Sequence, residues 1–432
     1  MISTTILGFG ALFLLLLVGV PVAFSMLIAG TFGIYLTVGA GPLEGVLAIG
    51  PYETVASYTL SAVPLFILMA EFLSAGRFTS DLFTMAYRWV GHLRGGVSYA
   101  AVGGGVLLAA ISGSSTAAAS TLASVAFPEM RRFNYNARFA SALLAIVGTL
   151  AMMIPPSLGL ILYGVFTETS VGRLLLAGFL PGAITAIGYV FTIWLLIRRN
   201  PSFAPQSGEK ASWNVRLGSL RDAAPVLALL FGMVAALYSG IITPTEVGAV
   251  GALAALVIGI AMRRINFTNF WAAAIRAVQA SAMILTIVGF SAALGVFMAL
   301  NGTSQVMLNS VSQSGMPPWA VVGVVLLILM VLGFFLDQLA ILILTLPVVF
   351  PLLTGLGYDP IWLGIIFVKT AEIGLISPPM GMNVFVVAGV TKTPVTQVFR
   401  GIWPFVLTEL IILVILVALP QLSLWLPNFI YG

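Results

Sequence analysis

The chain is a succession of long apolar runs separated by short clusters of glycine, proline and charge. A membrane-spanning helix needs about 20 apolar residues. On that rule the pattern predicts spans near 4–20, 22–40, 54–75, 138–166, 174–197, 223–240, 246–262, 271–299, 360–390 and 401–427. Two apolar stretches, 97–130 and 319–353, behave differently. Each is long enough for two short helices and is interrupted midway, by Ser112-Gly113-Ser114-Ser115-Thr116 in one and by Asp337-Gln338 in the other. A carboxylate at the centre of a bilayer is costly, and irregular backbone survives at membrane depth only where it is buried or lines a cavity. Both stretches are therefore expected to be re-entrant hairpins whose tips meet inside the protein.

Composition agrees with that reading and narrows it. Of 432 residues, 60% are hydrophobic and 7% charged, whereas a soluble domain carries about 25% charged residues. The expected class is an all-α polytopic membrane protein with no substantial soluble domain. The absence of cysteine excludes disulfides and thiolate chemistry, and the single histidine, His92, leaves little for a metal cluster or a nucleophile–base pair. No phosphate-binding loop of the GxxxxGK[ST] type is present, so ATP hydrolysis is not expected. The first apolar run lacks a basic leader, and Gly19 and Pro21 read as a turn into a second span, so it is expected to be retained.

The few charges carry topology, because basic residues gather on the cytoplasmic side. With the base of the first hairpin in the cytoplasm, sixteen of the 18 Lys and Arg residues fall on that face, Arg173 and Lys369 being the exceptions. Arg131-Arg132 and Arg198-Arg199 then read as orientation signals, not nucleic-acid contacts. The base of the second hairpin has no Lys or Arg, so it is expected to enter from the opposite face, with both termini outside.

The halves also repeat. At a shift of 223, Pro21 falls on Pro244, Phe127-Pro128 on Phe350-Pro351, Tyr135 on Tyr358, Pro155-Pro156 on Pro378-Pro379, Gly178 on Gly401 and Pro181 on Pro404. The expected organisation is a first repeat at 1–199, with scaffold helices 1–75, a connecting amphipathic segment 76–96, a hairpin 97–133, a broken helix 138–167 and a helix 174–197. A cytoplasmic linker at 200–222 leads to a second repeat at 223–432, with scaffold helices 223–300, a hairpin 319–355, a broken helix 360–390 and a helix 401–427. Copies of opposite topology are the architecture of secondary transporters, whose sites lie at discontinuous helices near the midplane.

Chemistry concentrates at the breaks. A double proline removes two backbone donors and disfavours helix before it, so the spans carrying Pro155-Pro156 and Pro378-Pro379 must break there. Freed carbonyls, with hydroxyl and amide oxygens from a hairpin tip, suit a hard monovalent cation, and half-helix N-termini favour an anionic group. Candidate substrate contacts are Ser114, Thr116, Pro155, Pro156, Pro378 and Pro379. The bland readings stand beside these. Small residues also pack membrane helices closely, as Gly103-Gly104-Gly105 does inside the first hairpin; Asp337 is equally a helix cap; and Lys369 and Glu372, three apart, neutralise each other.

At Ser112 to Thr121 with Phe127-Pro128, Gly148 to Ser157, Phe335-Leu336-Asp337 and Glu372 to Asn383, the sequence resembles the large membrane (M) subunit of tripartite ATP-independent periplasmic (TRAP) transporters. The resemblance covers essentially the whole chain. It implies an inverted-repeat, elevator-type transporter of the bacterial inner membrane, driven by Na+ with two or more coupling ions, and taking up an organic acid such as a C4-dicarboxylate or sialic acid. It implies two partners, a small four-helix membrane (Q) subunit and a periplasmic substrate-binding (P) protein; because the chain begins with the large subunit's first helix, Q is expected as a separate polypeptide. The implied Na+ ligands are Ser112, Ser114 and Ser115 with carbonyls from Gly148, Thr149 to Ile154, and Asp337 with Gly374, Ser377 and Asn383. A stand-alone Na+/carboxylate symporter of related fold is the alternative.

Overall fold

The computed structural model describes residues 2–205 and 210–431. Residues 206–209, inside the expected linker, and the two terminal residues lie outside the described ones. The described chain is helical. It opens with α1 (Ile2–Leu17), α2 (Val22–Val38), α3 (Gly41–Val55), α4 (Ala62–Ala75) and α5 (Phe78–Val90). The first hairpin is α6 (Gly96–Ser112) and α7 (Ser115–Arg132); the first broken helix is α8 (Ala137–Val147), a 3-10 turn at Gly148–Met152 and α9 (Leu158–Phe166), followed by α10 (Val171–Arg199). The second half runs α11 (Trp213–Tyr238), α12 (Pro244–Ala261), α13 (Phe267–Leu300) and α14 (Thr303–Gln313). It continues through the hairpin α15 (Pro318–Gly333) and α16 (Gln338–Gly355), the broken helix α17 (Pro360–Ile376) and α18 (Met382–Thr391), then α19 (Val395–Ala418) and α20 (Gln421–Tyr431). Among the described residues seven helices are long and apolar enough to cross a membrane.

The shift of 223 carries over to whole elements: α2 falls on α12, α5 on α14, α6 and α7 on α15 and α16, α8 with its 3-10 turn on α17, α9 on α18 and α10 on α19. Even the caps correspond. Asn136 accepts from Phe139 N at the start of α8, and its mate Asp359 accepts from Ile361 N and Trp362 N at the start of α17. Such caps satisfy donors that a helix end leaves unpaired.

Several boundaries differ from the sequence expectation, each for a physical reason. α3 was not expected because it carries Glu44, Glu53 and Pro51 and buries none of its residues, so it offers no apolar run. α14 is polar and buries only Thr303. α11 begins at Trp213, so the end of the segment read as linker is its first turns. The run read as one span at 401–427 divides at Leu419-Pro420 into α19 and α20, since proline cannot continue the ladder. The amphipathic segment is present as α5, which buries Phe78, Leu82 and Phe83 on one face.

Two bodies of packing follow. α2, α3 and α4 pack on α12 and α13, a contact carrying the ion pairs Glu71–Arg276 at 2.7 Å and, through α5, Asp81–Arg264. In the other body the repeats interlock. The second arm of the first hairpin, α7, packs on α18, the C-terminal half of the second broken helix, while α16 packs on α9, the C-terminal half of the first. α8 packs on α19 and α17 on α10. Each hairpin is thus held by the other repeat's broken helix as well as its own.

Candidate transport site

The interlocking places the two hairpin tips around one cavity of about 400 Å³, lined by Ser112 through Thr116 from the first tip and by Asp337, Gln338 and Leu339 from the second. Met152 and Leu158 from the first break and Leu375 from the second broken helix complete one wall; α4 and α13 contribute Ile67, Glu71 and Ile284 to the other. The cavity therefore lies where the hairpin body meets the α4–α13 body.

At the first tip Gly113 adopts φ 58°, a left-handed turn that suits glycine, and reverses the chain between α6 and α7. Ser112 Oγ donates to Ser114 O at 3.1 Å, and Ser114 and Thr116 hydroxyls lie 3.4 Å apart. Ser115 is buried and accepts from Asn383 Nδ2 at 2.5 Å; the same amide donates to Ala145 O at 3.3 Å. Asn383 Oδ1 has no partner. The resemblance grouped Asn383 with Asp337, whereas the structure places it at the first tip, because α18 packs on α7. Ser115 Oγ and Ala145 O thus share the Asn383 amide nitrogen as donor, while Asn383 Oδ1 is left over; all three are buried neutral oxygens, the ligand type that hard cations take.

The breaks themselves are tightly packed. A Cβ on Gly148 would lie 2.7 Å from Ala119 Cα, so only glycine lets α7 approach the first break. Thr149 Oγ1 donates to Ile146 O at 2.8 Å and lies 3.0 Å from Tyr189 OH. Ile154 and Pro155 are buried, Pro156 is half-buried, and Ser157 Oγ donates to Met152 O. In the second break Ser377 N donates to Gly374 O at 3.2 Å and Ser377 Oγ to Ile373 O at 2.6 Å; Pro378 is half-buried and Pro379 exposed. Both Pro-Pro bonds are cis. None of the four prolines lines the cavity, so among the sequence candidates for substrate contact Ser114 and Thr116 are the ones it brings there. Asp337 Oδ1 accepts from Ala340 N at 3.3 Å: it lines the cavity and caps α16 at once.

Behind the breaks lies a buried ionic network that sequence reading saw only in part. Lys369 Nζ reaches Glu372 Oε2 at 3.0 Å, Glu409 Oε2 at 2.5 Å and Thr185 Oγ1 at 2.9 Å, and Tyr189 OH donates to Glu409 Oε1. Lys369, Glu372 and Glu409 are all at most 1% exposed. The i, i+3 pair was expected; Glu409, Tyr189 and Thr185 were missed. Glu409 had a legible signal, being the one carboxylate within the apolar run at 401–427. Tyr189 and Thr185 had none. Through Tyr189 and Thr149 the network reaches the first break, so it joins α17, α19, α10 and α8.

A repeat-built helical membrane protein, with two hairpin tips and two broken helices framing one cavity, is a multi-pass membrane transporter in class. The chain belongs to the family described as tripartite ATP-independent periplasmic transporter, DctM component, which matches residues 9–422. The C4-dicarboxylate TRAP transporter large permease protein DctM of Pseudomonas aeruginosa is 34% identical over 385 residues, covering 89% of this chain and 90% of that protein. The sialic acid TRAP transporter large permease protein SiaM of Vibrio cholerae is 29% identical over 420 residues, covering 97% of each. In fold alone the chain resembles the crystal structure of the Alcanivorax borkumensis YdaH transporter, with TM-score 0.62, 15% identity and 90% of each chain covered.

Proposed function

We propose that this chain is the subunit through which a TRAP transporter of the bacterial inner membrane moves a small organic acid inward with Na+, by an elevator motion of the hairpin body against the α4–α13 body. The observation that carries the reading is the convergence of both tips and both broken helices on one cavity whose far wall comes from the other body. Sliding that body along α4 and α13 would carry the cavity across the bilayer with its neutral oxygens intact. Na+ would bind first at the Ser115, Asn383 and Ala145 oxygens and at the Asp337 tip, ordering the tips and raising affinity for the anion, a coupling of binding free energies. The relatives named for C4-dicarboxylate and sialic acid support a carboxylate substrate; the tripartite description supports a periplasmic binding protein that delivers it and a small membrane subunit as partners. The positive-inside pattern supports opposed hairpins and both termini on the periplasmic side.

Uptake by the reconstituted complex is expected to require an inward Na+ gradient; accumulation that persists without one removes the coupling. Ser115→Ala deletes one oxygen of the set and is expected to raise the half-saturating Na+ concentration about tenfold, equivalent to about 1.4 kcal/mol. Asp337→Asn keeps a cap acceptor for α16 and so is expected to leave thermal stability unchanged while raising the Na+ requirement. Unaltered Na+ dependence in both variants would strike these residues from the ion sites. Uptake by the large subunit without a binding protein would favour the stand-alone carrier.

A further inference from the structure

Gln338 opens α16 immediately after the Asp337 cap, at most 1% exposed, and neither its Nε2 nor its Oε1 has a hydrogen-bond partner. A buried primary amide with every donor and acceptor idle is destabilising. Its surroundings explain why no protein group answers it. The repeat mate of Gln338 at the shift of 223 is Ser115, which Asn383 of α18 satisfies. For Gln338 the corresponding neighbour is α9, and there the side chain lies against Gly159, with the mate of Asn383 being the apolar Leu160. The first tip is therefore latched across the repeats and the second is not. The opening beside Gln338 is the shared cavity of about 400 Å³, which falls within the size range of small-ligand pockets.

We infer that Gln338 is a substrate-contacting, specificity-determining residue: its amide N–H donates to the anionic head of the organic acid, beside the Asp337 carboxylate that already caps α16. The inference rests on the reading that an organic acid occupies this cavity. The amide remains idle without substrate and is satisfied with it, so binding is rewarded at this tip specifically.

The test is a thermal-shift titration of the purified transporter complex in saturating Na+, with succinate and N-acetylneuraminate as probes. Gln338→Leu is expected to raise the half-maximal protecting concentration of the effective probe about tenfold, equivalent to about 1.4 kcal/mol. It should leave the half-saturating Na+ concentration unchanged and, without substrate, melt no lower than the parent, because an unsatisfied amide has been removed. Gln338→Glu should abolish protection, by setting a carboxylate against the anion. Equal protection of the leucine variant, a shift in Na+ dependence instead, or a fall of several degrees in its substrate-free melting temperature would each overturn the inference. A parent complex that neither probe protects would instead remove the carboxylate reading beneath it.

Discussion

Lys369→Met is expected to be among the most damaging single substitutions in the chain, lowering stability by about 3–5 kcal/mol, the range for removing one partner of a buried ion pair. The ammonium stands between Glu372 and Glu409 and also donates to Thr185, with no solvent within reach. Its loss leaves two carboxylates facing each other in a low-dielectric interior, and Glu372 Oε1 already has no hydrogen-bond partner. Glu409→Gln should cost distinctly less, because Lys369 keeps its pair with Glu372 and the new amide still offers an acceptor to Tyr189. Arginine is no substitute, since a planar fork does not occupy the space of a point charge. Melting temperatures of the detergent-purified variants decide the order: a glutamine variant as damaged as the methionine one would mean that packing, not charge balance, sets the cost. Within the same experiment, neutralising all three positions as Lys369→Met, Glu372→Gln and Glu409→Gln should recover part of the loss, because no uncompensated charge remains.

That network also shows what could be seen in the sequence. The repeat was legible because proline and glycine mark backbone geometry, and geometry repeats even where side chains drift: Pro155-Pro156 and Pro378-Pro379 stand at the same place in two broken helices. The hairpins were legible because polar residues at mid-run are too costly to leave unexplained. Partnership across the repeats was not. Which tip Asn383 joins depends on α18 packing against α7, and a shift between copies says nothing about which copies touch. Helices α3 and α14 escaped for a related reason: apolar periodicity finds elements that bury a face, and α3 buries none. Ser115 and Gln338 occupy matched positions yet have opposite fates, one latched and one idle. Sequence symmetry predicts a common backbone, while the neighbours supplied by α18 and α9 decide where the two copies differ.

Gly374→Ala is expected to disable the second broken helix, although it adds one methyl group to a residue whose predicted role was only to offer a carbonyl. An added Cβ would lie 2.5 Å from Gly333 Cα and 2.9 Å from its carbonyl carbon, and reciprocally a Cβ on Gly333 would lie 2.8 Å from Gly374 Cα. Here α15 and α17 cross backbone to backbone, the close approach that small residues allow in membranes, and no side-chain rotation relieves the clash. Overpacking typically costs about 1–3 kcal/mol and occasionally more; with backbone on both sides, the upper end is expected. The helices must separate, which displaces the second tip, at the end of α15, from the break behind it. Uptake should therefore fall further than folded yield does. Gly389→Ala provides the control, since a Cβ there meets nothing within 4 Å and alanine is the better helix former by about 1 kcal/mol. Gly333→Ala should reproduce the Gly374→Ala loss, and the double variant should cost less than the sum of the two, because both methyl groups force the same separation. If Gly374→Ala melted and transported like Gly389→Ala, this helix crossing would not be what holds the second tip in place.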